Sequence, residues 1–167
     1  MIKFKVPPFI LNHSFPQDSE RTMMNEKEIS GKLMEGIDCA MVTLHESADA
    51  VGMPRDEAYR LASCFGMGMM QGSVCGAVTA GFIAIGYKYG NIKPLDLDSR
   101  GLLMAKREEF LSEFKKRFGD DITCPGLLKL DLRNEEDAMK AMGSGIMFAF
   151  CPKICRQAAD IINEILR

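Results

Sequence analysis

The stretch that decides the fold runs from Phe65 to Gly90 and reads F-G-M-G-M-M-Q-G-S-V-C-G-A-V-T-A-G-F-I-A-I-G-Y-K-Y-G. A glycine-rich turn, Gly66 to Gly72, leads into an apolar segment whose pattern predicts a helix over about 73–89, closed by Gly90. Gly72, Gly76, Ala80 and Ala84 recur at four-residue spacing, so small residues share one face and a neighbouring helix can approach closely. At least one of Gly66, Gly68 and Gly72 is expected at positive φ, where a side chain is strained. Cys75 falls in the first turn of the helix. There the macrodipole favours thiolate over thiol, and the thiolate is both the nucleophile and the metal ligand. The segment therefore points to sulfur chemistry, redox or metal, and not to acid–base hydrolysis. It is not a dinucleotide fingerprint, because no strand pattern precedes it and the glycine spacing is wrong. Either it places N–H groups around an anionic group or it is a plain tight turn between helices.

Helical patterns continue on both sides. Upstream, Ile29, Leu33, Ile37, Ala40, Met41, Leu44 and Ala48 recur at three- and four-residue steps, which predicts one helix over about 26–51, ended by Gly52. A second helix is expected over about 55–65. Downstream, a long amphipathic helix runs from Asp98 or Ser99 to about Phe118, with Phe110, Leu111 and Phe114 inward and a cationic C-terminal end that suits the dipole. A short apolar turn follows Cys124-Pro125, then a charged helix over about 134–142. Cys151-Pro152 is expected to open a C-terminal helix with Ile154, Ala158, Ile161, Ile162 and Ile165 inward. No strand pattern of useful length appears. The predicted fold class is all-α, a bundle of five or six helices with a glycine-rich turn before the central one. Residues 1–25 have mixed composition and three prolines and read as an extended arm. Residues 26–167 read as one helical domain, in which a homodimer is an option.

The chain has 167 residues, 47% of them hydrophobic, which suffices for a core and excludes a disordered chain. A net charge of −2 makes no case for nucleic acid or an anionic membrane surface. The longest apolar run, Val74 to Tyr87, is shorter than the roughly 20 residues of a membrane span, so no membrane insertion is expected. The expected location is the cytoplasm. In that reducing compartment six cysteines are metal-binding, catalytic or buried rather than disulfide-bonded. Thirteen methionines and no tryptophan suit an adaptable helical core.

Cys124 and Cys151 each precede a proline at an expected helix start, which places them, like Cys75, where the dipole lowers a thiol pKa. The alternative is buried thiols acting as small hydrophobes. Cys39 reads as a mid-helix core residue and Cys64 as core or an outer neighbour of the site. Cys151 and Cys155 stand one turn apart and face the same way, a weak metal or dithiol signal. The paired short spacings of a zinc site are absent, as is the C-x-x-C-H signature of covalent haem. His45 reads as a solvated histidine, His13 as part of the arm, and Asp120-Asp121 as a solvated loop.

These residues resemble the C-GCAxxG-C-C family of putative redox-active proteins. The naming motif appears as Cys75-Gly76-Ala77-Val78-Thr79-Ala80-Gly81, flanked by Phe65-Gly66 and Gly68-Met69 upstream and Gly86-Tyr87-Lys88-Tyr89-Gly90 downstream. Gly36-Ile37-Asp38-Cys39-Ala40 looks like the first cysteine site, Thr123-Cys124 with Leu127-Leu128 like the third, and Cys151-Pro152-Lys153-Ile154 with Ala158-Ala159 like the fourth. The resemblance covers about Ile29 to the C-terminus. It implies a site built from Cys39, Cys75, Cys124 and Cys151, and leaves Cys64 and Cys155 as extras. By analogy with a similar cytochrome domain it implies an iron–sulfur cluster, with zinc or no metal as alternatives, and an electron-transfer partner protein. Two further readings stay open: a thiol–disulfide protein using Cys151 with Cys75 or Cys155, and a non-catalytic helical interaction domain.

Overall fold

The computed structural model describes residues 22–166. Among them are eight α-helices and no strand: α1 (Glu26–Met34), α2 (Cys39–Val51), α3 (Arg55–Ala62), α4 (Gly76–Tyr89), α5 (Leu97–Phe118), α6 (Cys124–Leu128), α7 (Glu135–Gly143) and α8 (Ile146–Leu166). A wide turn, Gly68–Gly72, stands between α3 and α4. The protein is an all-α bundle. Its helices outnumber the five or six expected because Gly36 divides the first one and Cys124–Leu128 forms a short helix of its own. Most of the expected arm, His13 included, lies outside the described residues. Its last residues belong to the body. Met24 is buried, its N–H donates to Glu46 Oε2 (2.6 Å), and its carbonyl accepts from Arg156 (2.8 Å).

The division of the first helix matters for the site. Asn25 caps α1 through a reciprocal capping box with Glu28. The chain then reverses at Gly36, whose φ of 89° is open only to glycine at low cost. Asp38 restarts the helix by accepting from the N–H groups of Ala40 (2.9 Å) and Met41 (3.0 Å). Cys39 is therefore the first residue of α2 and not a mid-helix core residue. A capping aspartate two residues after a glycine was the overlooked signal.

Helix α4 sits at the centre, packed against α2, α5 and α8. Its small residues set two close approaches. A Cβ on Gly76 would lie 2.6 Å from Cys39 Sγ, and one on Gly81 would lie 2.4 Å from the Phe110 ring. Phe110 and Phe114 of α5 are fully buried against this side, each worth roughly 1.5–3 kcal/mol of burial. Among the described residues no helix is long and apolar enough to cross a membrane.

Two expectations fail on this framework. The C-terminal helix begins at Ile146, so Pro152 and Cys151 lie inside it. Proline removes one helical hydrogen bond and frees the carbonyl four residues back. That carbonyl, on Phe148, accepts instead from Ser30 Oγ of α1 at 3.0 Å, which lets the helix continue through the proline. His45 is buried rather than solvated. Its ring stacks on Tyr59 with centroids 4.4 Å apart, and its Nδ1 lies 2.9 Å from Glu46 Oε1. Apolar partners on α3 drew this face of α2 inward, which one helix read alone does not reveal.

Candidate functional site

The N-terminal ends of α2, α4 and α6 meet the middle of α8 around a cavity of about 280 Å³. Five of the six cysteines line it: Cys39, Cys75, Cys124, Cys151 and Cys155. The rest of the wall is mainly apolar and includes Met67, Met70, Met142 and Met147. Asp38 contributes a carboxyl, which its partial burial pushes above the ordinary carboxylate range.

Each cysteine is positioned by a separate device. Cys39 is held by the Asp38 cap. Cys75 is the residue preceding α4, and Cys124 opens α6. These two come together through a short antiparallel pairing. Val74 bridges to Thr123, the Cys75 N–H donates to Ile122 O (2.8 Å), and the Cys124 N–H donates to Ser73 O (2.9 Å). Both side chains then leave on one face, which sets the two thiols side by side. Thr123 caps α6 by accepting from Gly126 N (3.1 Å), and Asp121 fixes Thr123 through its N–H (2.9 Å) and hydroxyl (2.7 Å). Asp121 is thus part of a turn. Cys151 and Cys155 project from α8 one turn apart, and Cys155 Sγ lies 3.7 Å from Cys39 O, to which it donates.

The glycine-rich turn closes one side. Met67, Gly68, Met69 and Met70 all have left-handed backbone, with φ of 51°, 65°, 59° and 54°. Gly72 follows at 61°, and the Ser73 N–H closes the turn on Gly68 O at 3.0 Å. Left-handed conformation costs a non-glycine residue about 1–2 kcal/mol, so the three methionines store strain where the chain wraps the cavity. Gly68 and Gly72 have the positive φ expected of this turn, and Gly66 does not. Gly66 instead allows the Asp38 carboxyl to approach, since a Cβ there would lie 2.4 Å from Asp38 Cγ.

The lowering of the thiol pKa expected for Cys75 and Cys151 does not occur in the metal-free protein. Burial pushes Cys39 up to about 12, with the neighbouring Cys75 adding to it. Cys75 is pushed well up by its hydrogen bond with Cys124 and then by burial. Burial, with Cys39 and Cys75 nearby, pushes Cys151 up as well. Cys151 is also not at a helix start, so the dipole argument does not reach it. Desolvation and crowding of like charges outweigh the dipole in this setting. Cys64 lies on the surface, outside the cavity, and not in the core.

Residues 37–165 match a family profile described as "Putative redox-active protein (C_GCAxxG_C_C)". The chain belongs to this family. No curated protein and no solved structure gives a significant match. The C_GCAxxG_C_C match begins two residues before Cys39 and ends near the close of α8, so it contains every cysteine of the cavity and leaves α1 outside. Among the described residues no three His, Cys, Asp or Glu side chains are grouped closely enough to hold a single metal ion. The family resemblance left Cys155 as an extra, although its one-turn spacing from Cys151 was a visible, weak signal for a place in the site. The cavity methionines had no sequence signal beyond their abundance.

Proposed function

We propose that the cavity is a redox centre in which Cys39, Cys75, Cys124 and Cys151 hold an iron–sulfur cluster that exchanges electrons with a partner protein. The observation that carries this reading is that the four cysteines of the family motif, far apart in sequence, line one apolar cavity of about 280 Å³. The donor set is chemically apt, because thiolates are the usual protein ligands of such clusters. Tetrahedral zinc needs its sulfurs about 2.3 Å from a single point, whereas a cluster takes one thiolate at each of several positions.

The cluster would supply one-electron transfer. The protein's part is to position the sulfurs, exclude water through the methionine and leucine walls, and present N–H groups near the thiolates. Those factors set a cluster's potential. The free thiols resist ionisation, so metal-free cysteines would be poor nucleophiles at neutral pH, and a bound cation would displace their protons. This disfavours a metal-free dithiol protein. That second reading, with Cys75 and Cys124 as its pair in place of the Cys151 pairings expected from the sequence, has one observation behind it, the side-by-side placement of these two thiols, which a partner disulfide would oxidise to a disulfide with loss of two protons and two electrons.

Anaerobic purification followed by visible and electron paramagnetic resonance spectroscopy, before and after reduction, tests the proposal. A visible band that bleaches on reduction supports it. A colourless protein in which Cys75 and Cys124 interconvert with a disulfide supports the second reading instead.

A further inference from the structure

Cys155 is absent from the family's four-cysteine pattern, yet it lines the same cavity as the four and is 1% exposed. Its surroundings differ from those of an ordinary core thiol. Cys155 Sγ donates to Cys39 O across the interface of α2 and α8 (3.7 Å). That carbonyl is the one to which Thr43, four residues on, would ordinarily return its hydroxyl, as Thr79 does to Cys75 O at 3.3 Å. Thr43 does not do so. Its Oγ1 is fully buried and has no hydrogen-bond partner of standard geometry. It lies beside the Cys155 sulfur, and a metal-bound sulfur there would give it an acceptor. An orphaned hydroxyl beside a buried sulfur is costly in the free protein and useful only when the sulfur becomes an acceptor.

We propose that Cys155, oriented by the Thr43 hydroxyl, is a fifth sulfur ligand of the cavity that would take the fourth position when Cys151 vacates it, one iron–sulfur bond replacing the other while the Cys155 thiol proton passes to the departing Cys151 sulfur, so that no electron is exchanged. The two cysteines stand one turn apart on one face of α8, so exchange between them needs no unfolding of the helix. Cys151 is partly buried and Cys155 is the deeper, so Cys151 is the more accessible of the pair and Cys155 the better placed to retain the bound group. Thr43 is a positioning residue in this scheme. The inference rests on the cluster reading above.

The test is anaerobic reconstitution with ferrous iron and sulfide, read as iron and acid-labile sulfide per chain, with helicity checked by circular dichroism. Wild type, Cys151→Ser, Cys155→Ser and the double variant are compared, and Cys155→Ala replaces Cys155→Ser if the buried serine impairs folding. Cys151→Ser is expected to retain most of its iron and sulfide with an altered paramagnetic spectrum, and the double variant to fall to background. In the Cys151→Ser background, Thr43→Val should weaken retention by about tenfold, and Thr43→Ser should restore it. Loss in Cys151→Ser as deep as in the double variant, beside a loaded wild type, overturns this inference alone. Equal retention in Cys151→Ser and the double variant overturns it as well. A wild type that takes up neither iron nor sulfide overturns the cluster reading and this inference together.

Discussion

The Cys39 sulfur occupies the space that a side chain at Gly76 would fill. A Cβ on Gly76 would stand 2.6 Å from Cys39 Sγ and 2.9 Å from Phe65 O. The motif glycine after Cys75 therefore serves the site by giving room to another cysteine. Gly76→Ala should destabilise the metal-free protein by about 1–3 kcal/mol through overpacking. It should also displace Cys39, which faster alkylation of that thiol would report. An unchanged urea midpoint and alkylation rate would show that the contact is unimportant.

Gly68 and Gly72 share positive φ but differ in surroundings. A Cβ on Gly68 would lie 2.5 Å from Ser73 N, within backbone, whereas one on Gly72 meets nothing closer than Arg133 Cγ at 3.4 Å. Gly72→Ala should cost about 1 kcal/mol from strain alone, and Gly68→Ala clearly more. Urea unfolding of both variants checks the order, and the reverse order would contradict the account of the turn.

The Ser30 hydroxyl satisfies the Phe148 carbonyl that Pro152 leaves free. Ser30→Ala should cost about 1 kcal/mol, because a helical carbonyl loses its donor. Pro152→Ala restores an N–H inside α8 that can bond Phe148, so combining it with Ser30→Ala should recover part of that loss. Thermal unfolding of the single and double variants measures the coupling.

Reduced, metal-free protein should lose stability as pH rises above 9. The Cys39 thiol moves from an ordinary 9.0 to about 12, and Cys75 and Cys155 also move well up. Above pH 9 the unfolded chain releases these protons and the folded chain keeps them, so unfolding becomes progressively more favourable. Each such thiol contributes about 1.4 kcal/mol per pH unit, and the share of Cys39 stops growing near its folded value. Urea unfolding on either side of pH 9 measures the slope, which Cys155→Ala should make shallower. A flat profile would mean that the thiols are not desolvated.

The bundle was legible because helical periodicity is local, and the long runs of α4 and α5 carry it without interruption. The break at Gly36 was less legible, since the apolar steps from Ile29 to Ala48 continue across it. Only the Asp38 side chain, bonded to two backbone N–H groups, shows that a new helix starts at Cys39. The start of α8 was misplaced for the opposite reason. Pro152 reads as a first-turn residue unless a distant donor, Ser30, is known to relieve the Phe148 carbonyl. Cys75 could be singled out from its own neighbours. That Cys124 reaches it through the Val74–Thr123 bridge is a long-range fact with no local signature, and for Cys155 the one-turn spacing from Cys151 was only a weak sign that it joins the same cavity.

The most direct measurement of the central claim is iron and acid-labile sulfide per chain in anaerobically prepared wild type, Cys75→Ser and Cys64→Ser. Cys75 lines the cavity and Cys64 lies on the surface. Serine replaces a soft thiolate with a hard, protonated hydroxyl at nearly constant size, so both variants should fold. The account predicts iron and sulfide together in wild type and Cys64→Ser, and loss of both in Cys75→Ser. Equal contents in the two variants, or iron and sulfide absent from all three proteins, would contradict it.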